Sequence, residues 1–260
     1  MRWARISVDG TPRTGIIEDD LIALVNGGMF DGGTRTGETI PLAKVQFMIP
    51  FEPRTFYAAG LNYAEHVIEQ AKANKRDPEL PEKPDIGYRA NNALIAHGEA
   101  IVKPRDASEE FQYEAELVVV IGQHAKNLSE DQALSCVFGY TIGNDVSERR
   151  WQRRDRTLWR AKNTDTFKPM GPWVETNVDL EGLETVVRLS GREVIRFPTN
   201  NMIFSVARYI SAMSRYVTLE AGDMIWMGTE GHSENMQPGD VCEIEISGVG
   251  TLCNLIVLET

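Results

Sequence analysis

The chain has 260 residues, 42% of them hydrophobic, which is ample for a large buried core and excludes an intrinsically disordered protein. Its 27 Lys and Arg stand against 38 Asp and Glu for a net charge of −11, so phosphate backbones are repelled and no nucleic-acid partner is expected. Cys136, Cys242 and Cys253 form neither a metal knuckle nor an even disulfide framework, the start MRWARISVDG carries no signal peptide, and no apolar run reaches membrane-spanning length; a cytoplasmic protein with free thiols and no membrane partner is the expectation.

Over the first fifty residues, short β-like runs (Arg5-Ile6-Ser7-Val8, Gly15-Ile16-Ile17) alternate with Gly and Asp turns and a loose stretch over 27–37. Residues 1–52 therefore read as a small N-terminal β-rich domain and 53–260 as the main one. Phe56-Tyr57-Ala58-Ala59-Gly60 predicts a strand, and Asn62 is a candidate cap for a helix over 63–76 that Asp77-Pro78 stops. Four prolines between 78 and 104 forbid long regular elements, and part of 77–104 is expected to be a mobile lid.

From Phe111 the pattern alternates as far as Leu117 and is then continuously apolar over 118–121, predicting a strand half-exposed at its start and buried at its end. A second strand is expected near 138–142. Met202, Ile203, Val206, Tyr209, Ile210 and Met213 recur every three or four residues, which predicts a helix over 201–216 behind Thr199 or Asn200 as cap. The tail is β again, with Gly-Asp turns at 222–223 and 239–240 leading into strands over 224–227 and 241–246, and a turn at 247–250 into a last strand over 252–258. Strands outnumber helices, so the fold class is α+β, predominantly β.

Glu114 and Glu116 leave the same face of the predicted strand with backbone positions roughly 7 Å apart. Such a pair, once covered, needs a proton or a cation, and Asp145 at the end of the next strand supplies a third oxygen; with no Cys or His nearby, the donor set suits Mg²⁺ or Mn²⁺ rather than Zn²⁺. Taken by itself, the spacing is more often that of a solvated strand edge. His66 and Glu69 are one helical turn apart and resemble a general base oriented by a carboxylate, a pattern shared with ordinary surface pairs. Asp145, Arg149 and Gln152 are spaced four and three apart, so a helical turn would line them up and let Arg149 bind an anionic substrate. The Arg-rich run 149–154 is not read as an RNA-binding stripe, because Glu148 and Asp155 flank it. His97, His124 and His232 have no partner at a telling spacing and are read as structural.

Several motifs in order carry a resemblance. Asn62-Tyr63-x-x-His66-x-x-Glu69, Tyr113-Glu114-Ala115-Glu116-Leu117, Asn144-Asp145-x-Ser147-x-Arg149-x-x-Gln152, Lys162-x-x-Asp165-Thr166-Phe167-x-Pro169-x-Gly171-Pro172 and Gly222-Asp223-x-Ile225-x-x-Gly228-Thr229 together resemble the fumarylacetoacetate hydrolase superfamily over residues 55–260. The resemblance implies a rolled mixed β-sheet, barrel-like catalytic domain, a homodimer, and Mg²⁺ or Mn²⁺ held by Glu114, Glu116 and Asp145. It further implies a water-activating dyad of His66 and Glu69, and a substrate surrounded by Lys162, Arg149, Gln152 and Thr229. The chain departs from the family pattern at Asn163-Thr164, at Glu230 after Gly228-Thr229, and at Tyr88-Arg89-Ala90 where the family has Phe-x-Lys; these changes are expected to alter the substrate pocket and spare the metal ligands.

The activity expected is metal-dependent hydrolysis of a carbon–carbon bond in a small 2,4-dioxo acid, acylpyruvate- or fumarylpyruvate-like, in aromatic or sugar acid catabolism. His66, oriented by Glu69, activates water; the metal and Lys162 stabilise the enolate; Arg149 and Gln152 fix the acid end. The same site would serve a decarboxylase of oxaloacetate-like acids or an isomerase of 2-hydroxy-dienedioates. A protein that binds small dicarboxylates without turnover is the alternative from another class.

Overall fold

The computed structural model describes residues 1–73 and 75–260. A twelve-stranded mixed sheet organises the chain. At its centre lies the strand Ala115–Ile121, flanked by Val137–Asn144 on one side and Met224–Trp226 on the other, both antiparallel to it. Beyond Met224–Trp226 the sheet continues through Phe56–Ala59, parallel, and Ile86–Tyr88. Beyond Val137–Asn144 it continues through Lys168–Glu175 to Arg2–Val8, Thr11–Glu18, Leu21–Asn26 and Thr34–Pro41. The N-terminal strands thus join the sheet edge-on through the pairs Arg2↔Glu175 and Trp3↔Val174.

A second sheet of five strands, ordered Arg192–Pro198, Glu184–Leu189, Val241–Ile246, Gly250–Leu258 and Ile101–Lys103, packs against the first with the helix Val206–Ser214. This explains the apolar run 117–121. Leu117, Val119 and Ile121 face a cluster that includes Ile142, Tyr209, Ile210, Ile244 and Leu252, while Val118 and Val120 face a separate cluster with Phe56, Met224 and Trp226. A strand covered on both faces has no polar side to alternate with. Gly143, paired with Glu116, is demanded by close approach: a Cβ there would sit 2.6 Å from the Trp226 ring.

The predominantly β, α+β architecture with mixed sheets agrees with the sequence reading, and the strand Val241–Ile246 has the expected bounds. Three differences have local causes. The helix expected over 201–216 begins at Val206, capped by Ser205, whose Oγ accepts from the Arg208 N–H. The residues before it are taken by tertiary bonds: Met202 bridges to Tyr63, the Ile203 N–H donates to the Asn62 carbonyl, and the Phe204 N–H donates to Asn62 Oδ1. Asn62 accordingly spends its side chain on Phe204 and Met227 instead of capping the helix Ala64–Ala73; of the span expected for that helix, Asn74 lies outside the described residues. Finally, the strands Lys168–Glu175, Glu184–Leu189 and Arg192–Pro198 carried no clear sequence signal, the first being interrupted by Pro169 and Pro172.

Within 77–104 the structure holds the short strands Ile86–Tyr88, Leu94–Ile95 and Ile101–Lys103. None of the described helices is long and apolar enough to cross a membrane.

Candidate metal centre and substrate cleft

Glu116 lies in Ala115–Ile121, Glu114 just before it, and Asp145 just past the adjacent strand. The pairing Ala115↔Asn144 carries the acids together, with the Asp145 N–H donating to the Glu114 carbonyl at 2.9 Å. One oxygen from each carboxylate lies within 4.8 Å of the others, and all three residues are buried.

Cations surround them unevenly. Lys162 Nζ, 4% exposed, bridges Glu114 Oε2 at 2.5 Å and Asp145 Oδ2 at 2.8 Å. Asp145 also receives Arg89 at 2.9 Å and Lys168 at 2.7 Å. Arg149 donates to Glu114 Oε1 at 2.5 Å, to Gln112 at 2.7 Å and to Gln152 at 2.9 Å. Among the described residues, Glu116 has only the Gly228 N–H as a hydrogen-bond partner, at 2.8 Å.

The proton affinities follow from that imbalance. Burial alone would raise Glu114, yet Lys162 and Arg149 hold it down to about 2. Burial of Asp145 is likewise outweighed by Arg89, Lys162 and Lys168, which keep it well below the usual carboxylate range. Burial, reinforced by the charges of Asp145 and Glu114, pushes Glu116 up to about 8. Burial also pushes the Lys168 ammonium down to about 8 against the pull of Asp145. A proton on Glu116 therefore takes the place that a hard cation fits: three convergent oxygens, buried, two of them already ionised and the third awaiting a counter-charge. The donor set is all oxygen, as Mg²⁺ and Mn²⁺ prefer.

His66 sits on the helix Ala64–Ala73 with Nδ1 2.9 Å from the Gly231 carbonyl and Nε2 3.9 Å from Glu114 Oε1. A carbonyl can only accept, so Nδ1 carries the proton and in the neutral ring Nε2 holds the lone pair. Burial keeps His66 below the ordinary imidazole range in spite of Glu114.

Two hollows meet at His66, Gln152 and Leu158. The inner chamber, about 210 Å³, contains the three acids with Arg89, Lys162 and Thr229. The outer cleft, about 670 Å³, contains Glu69, Gln112, Arg149, His232 and Ser233. Glu69 is thus on the cleft wall, its carboxylate 3.8 Å from Lys72.

The structure gathers His66, Glu114, Glu116, Asp145, Gln152, Lys162 and Thr229 around one chamber, with Glu69 and Arg149 beside it. The means differ from the spacing argument for Asp145, Arg149 and Gln152. The helix there covers only Arg149–Gln152, Asp145 lies outside it, and Arg149 pairs with Glu114. Arg89, at one of the departures from the family pattern, grips Asp145 while the three acids still converge; Asn163 secures that segment by accepting from the Ala90 N–H at 2.7 Å. Lys168, fully buried, was missed altogether, because a lysine inside an apolar strand signals a partner without naming it. His232, read as structural, lines the outer cleft.

A fumarylacetoacetate (FAA) hydrolase C-terminal family model matches residues 55–257, and an Rv2993c-like N-terminal model matches residues 1–50. The 5-carboxymethyl-2-hydroxymuconate delta-isomerase of Mycobacterium smegmatis superposes with a TM-score of 0.90 at 33% identity, covering 100% of both chains. The 2,4-didehydro-3-deoxy-L-rhamnonate hydrolase of Sphingomonas sp. is 37% identical over 75% of this chain and 70% of its own length. The oxaloacetate tautomerase of Bacillus subtilis is 32% identical over 82% of this chain and 73% of its own. With its site geometry, sheet order and this match over most of its length, the chain belongs to the fumarylacetoacetate hydrolase family.

Proposed function

We propose that the protein is a divalent-metal-dependent enzyme that hydrolyses a carbon–carbon bond in a small 2,4-dioxo acid. The observation that carries this reading is the buried meeting of Glu114, Glu116 and Asp145 beside a histidine whose lone-pair nitrogen is turned toward them. Glu114, Glu116 and Asp145 would hold Mg²⁺ or Mn²⁺, which when bound supplies Lewis-acid polarisation of a 2-oxo acid.

The protein's own groups account for the remainder. Gly231 fixes the His66 tautomer, and burial keeps the ring neutral at pH 7, so Nε2 is ready to take a proton from water. Glu69, one turn along the same helix, stands on the cleft wall beside Lys72, and the orienting bond expected of it is made by the Gly231 carbonyl. Lys162 Nζ, fixed between two carboxylates, faces the negative charge that develops as the bond breaks. Arg149 holds Gln152 by its carbonyl, presenting the amide N–H₂, with Thr229, to the substrate. Four cations (Arg89, Arg149, Lys162 and Lys168) against three acids leave a positive chamber once a divalent ion is added, which favours an anionic head group.

The similarity to an isomerase over the whole chain supports a second reading, isomerisation of a 2-hydroxy-dienedioate or tautomerisation of an oxaloacetate-like acid on the same groups. Decarboxylation of such an acid is chemically adjacent, and a dicarboxylate-binding protein without turnover is the non-enzymatic alternative. Turnover of acylpyruvates, oxaloacetate and 2-hydroxymuconate-type acids, each with Mg²⁺ and with EDTA, decides. Pyruvate release from an acylpyruvate supports hydrolysis, action on oxaloacetate alone replaces it, and activity that survives EDTA removes the metal from the account. We further propose a division into units 1–52 and 53–260, a homodimer, and a lid within 77–104 ahead of Arg89.

A further inference from the structure

Of the twelve residues that line the outer cleft, ten are polar or charged, Leu158 and Gly231 being the exceptions, although carbon stems contribute about half of the exposed lining. Its charges are largely spoken for. Arg153 meets both oxygens of Glu110 at 2.7 Å, and Arg149 is engaged by Gln112, Glu114 and Gln152. Glu69 adds a negative charge to the wall, and Arg76 is exposed. No buried cation of the described cleft is left over for a second carboxylate.

The neutral groups are in the opposite condition. The Gln152 carbonyl is held by Arg149, so its N–H₂ remains for a ligand; Ser233 Oγ and the His232 ring have no hydrogen bond within the described protein. An alkyl or aryl tail would cover these groups without replacing their water, a cost a hydroxyl avoids. The inner chamber has room for about seven water-sized groups at ~30 Å³ each, enough for a cation and a pyruvate-sized head, so the rest of the substrate must lie in the outer cleft.

We propose that the substrate is a 2-oxo acid whose hydroxylated, uncharged tail is read by Gln152, His232 and Ser233. This rests on the reading of the inner chamber as the site of the 2-oxo acid head.

The test is calorimetric binding to the Mg²⁺-loaded protein of three acids that share that head: 2-oxo-4,5-dihydroxypentanoate, 2-oxopentanoate and 2-oxoadipate. The dihydroxy acid is expected to bind at least about tenfold more tightly than 2-oxopentanoate, the worth of one net hydrogen bond. Ser233→Ala and His232→Ala should each narrow that gap while leaving 2-oxopentanoate affinity unchanged. Equal affinities, tightest binding of 2-oxoadipate, or variants that weaken all three acids alike overturn the proposal, as does failure of every 2-oxo acid to bind. Absence of bond cleavage in a 2,4-dioxo acid, with the binding order as expected, refutes the hydrolase reading and leaves the tail assignment standing.

Discussion

Metal binding should expel a proton, and the proton should come from Glu116. With its carboxyl pushed up to about 8, Glu116 is about nine-tenths protonated at pH 7 in the metal-free protein, whereas Glu114 and Asp145 are already ionised. A cation that needs all three carboxylates competes with that proton. Affinity for Mg²⁺ should therefore rise about tenfold per pH unit from pH 6 to 7.5 and level off above about 8, with about 0.9 proton released per ion at pH 7. His66, which burial holds below its ordinary range, adds less to this slope than an ordinary imidazole would. Isothermal calorimetry in two buffers of different ionisation enthalpy counts the proton directly. In Glu116→Gln the amide imitates the protonated acid and keeps the Gly228 N–H bonded, so the metal-free protein should melt within about 2 °C of the parent while affinity falls by more than the roughly 10–100-fold that an outer-shell partner commands. Proton release that persists in this variant assigns the proton to Lys168, which lies near the same value. A parent that binds Mg²⁺ with no proton release at pH 7, or a Glu116→Gln protein that binds it equally well, refutes the reasoning.

His66→Asn should lower kcat by about 10²–10⁴ with metal affinity retained. In the parent, kcat/KM should be lost as pH falls through a value under the ordinary histidine range, because the base is then protonated; an acid limb at pH 7 or above would count against His66. Lys168→Met leaves Asp145 short of a buried partner and should cost about 3–5 kcal/mol, lowering the melting temperature by roughly 6–20 °C in scanning calorimetry of the metal-free protein; an unchanged transition would show that Arg89 and Lys162 suffice. Gly143→Ala drives a methyl into the Trp226 ring and should cost about 1–3 kcal/mol by urea titration; a midpoint equal to the parent's would mean the ring has room to retreat.

The acids were legible because a strand has a period of two and its neighbour runs back beside it. Glu114 and Glu116 had to share a face, and the turn after 121 returns the chain so that Asp145 arrives opposite. His66 was legible as part of a helix, although Asn62, expected to cap it, is engaged by Phe204 and Met227. Arg89, Lys168 and the Gly231 carbonyl were not, since each reaches its partner across a separation that no local pattern encodes. The helix start at Val206 was missed for a related reason: the apolar spacing of Met202 and Ile203 suits a helix, and only Asn62, far away in sequence, reveals that their backbone is wanted elsewhere.

Asp145 is bound by side chains from positions 89, 162 and 168, and on one side the central sheet is carried onward by a parallel pair between Met224–Trp226 and Phe56–Ala59. Contacts that span so much of the chain exact their loop-closure entropy before they return anything, so they are late arrivals in folding. A nascent chain that stops short of position 224 lacks both the Met224–Trp226 strand and the 228–231 turn. Until that stretch is made, the Gly228 N–H bond to Glu116 and the hold of the Gly231 carbonyl on His66 are missing, so the chamber is completed only when distant stretches of the chain have met.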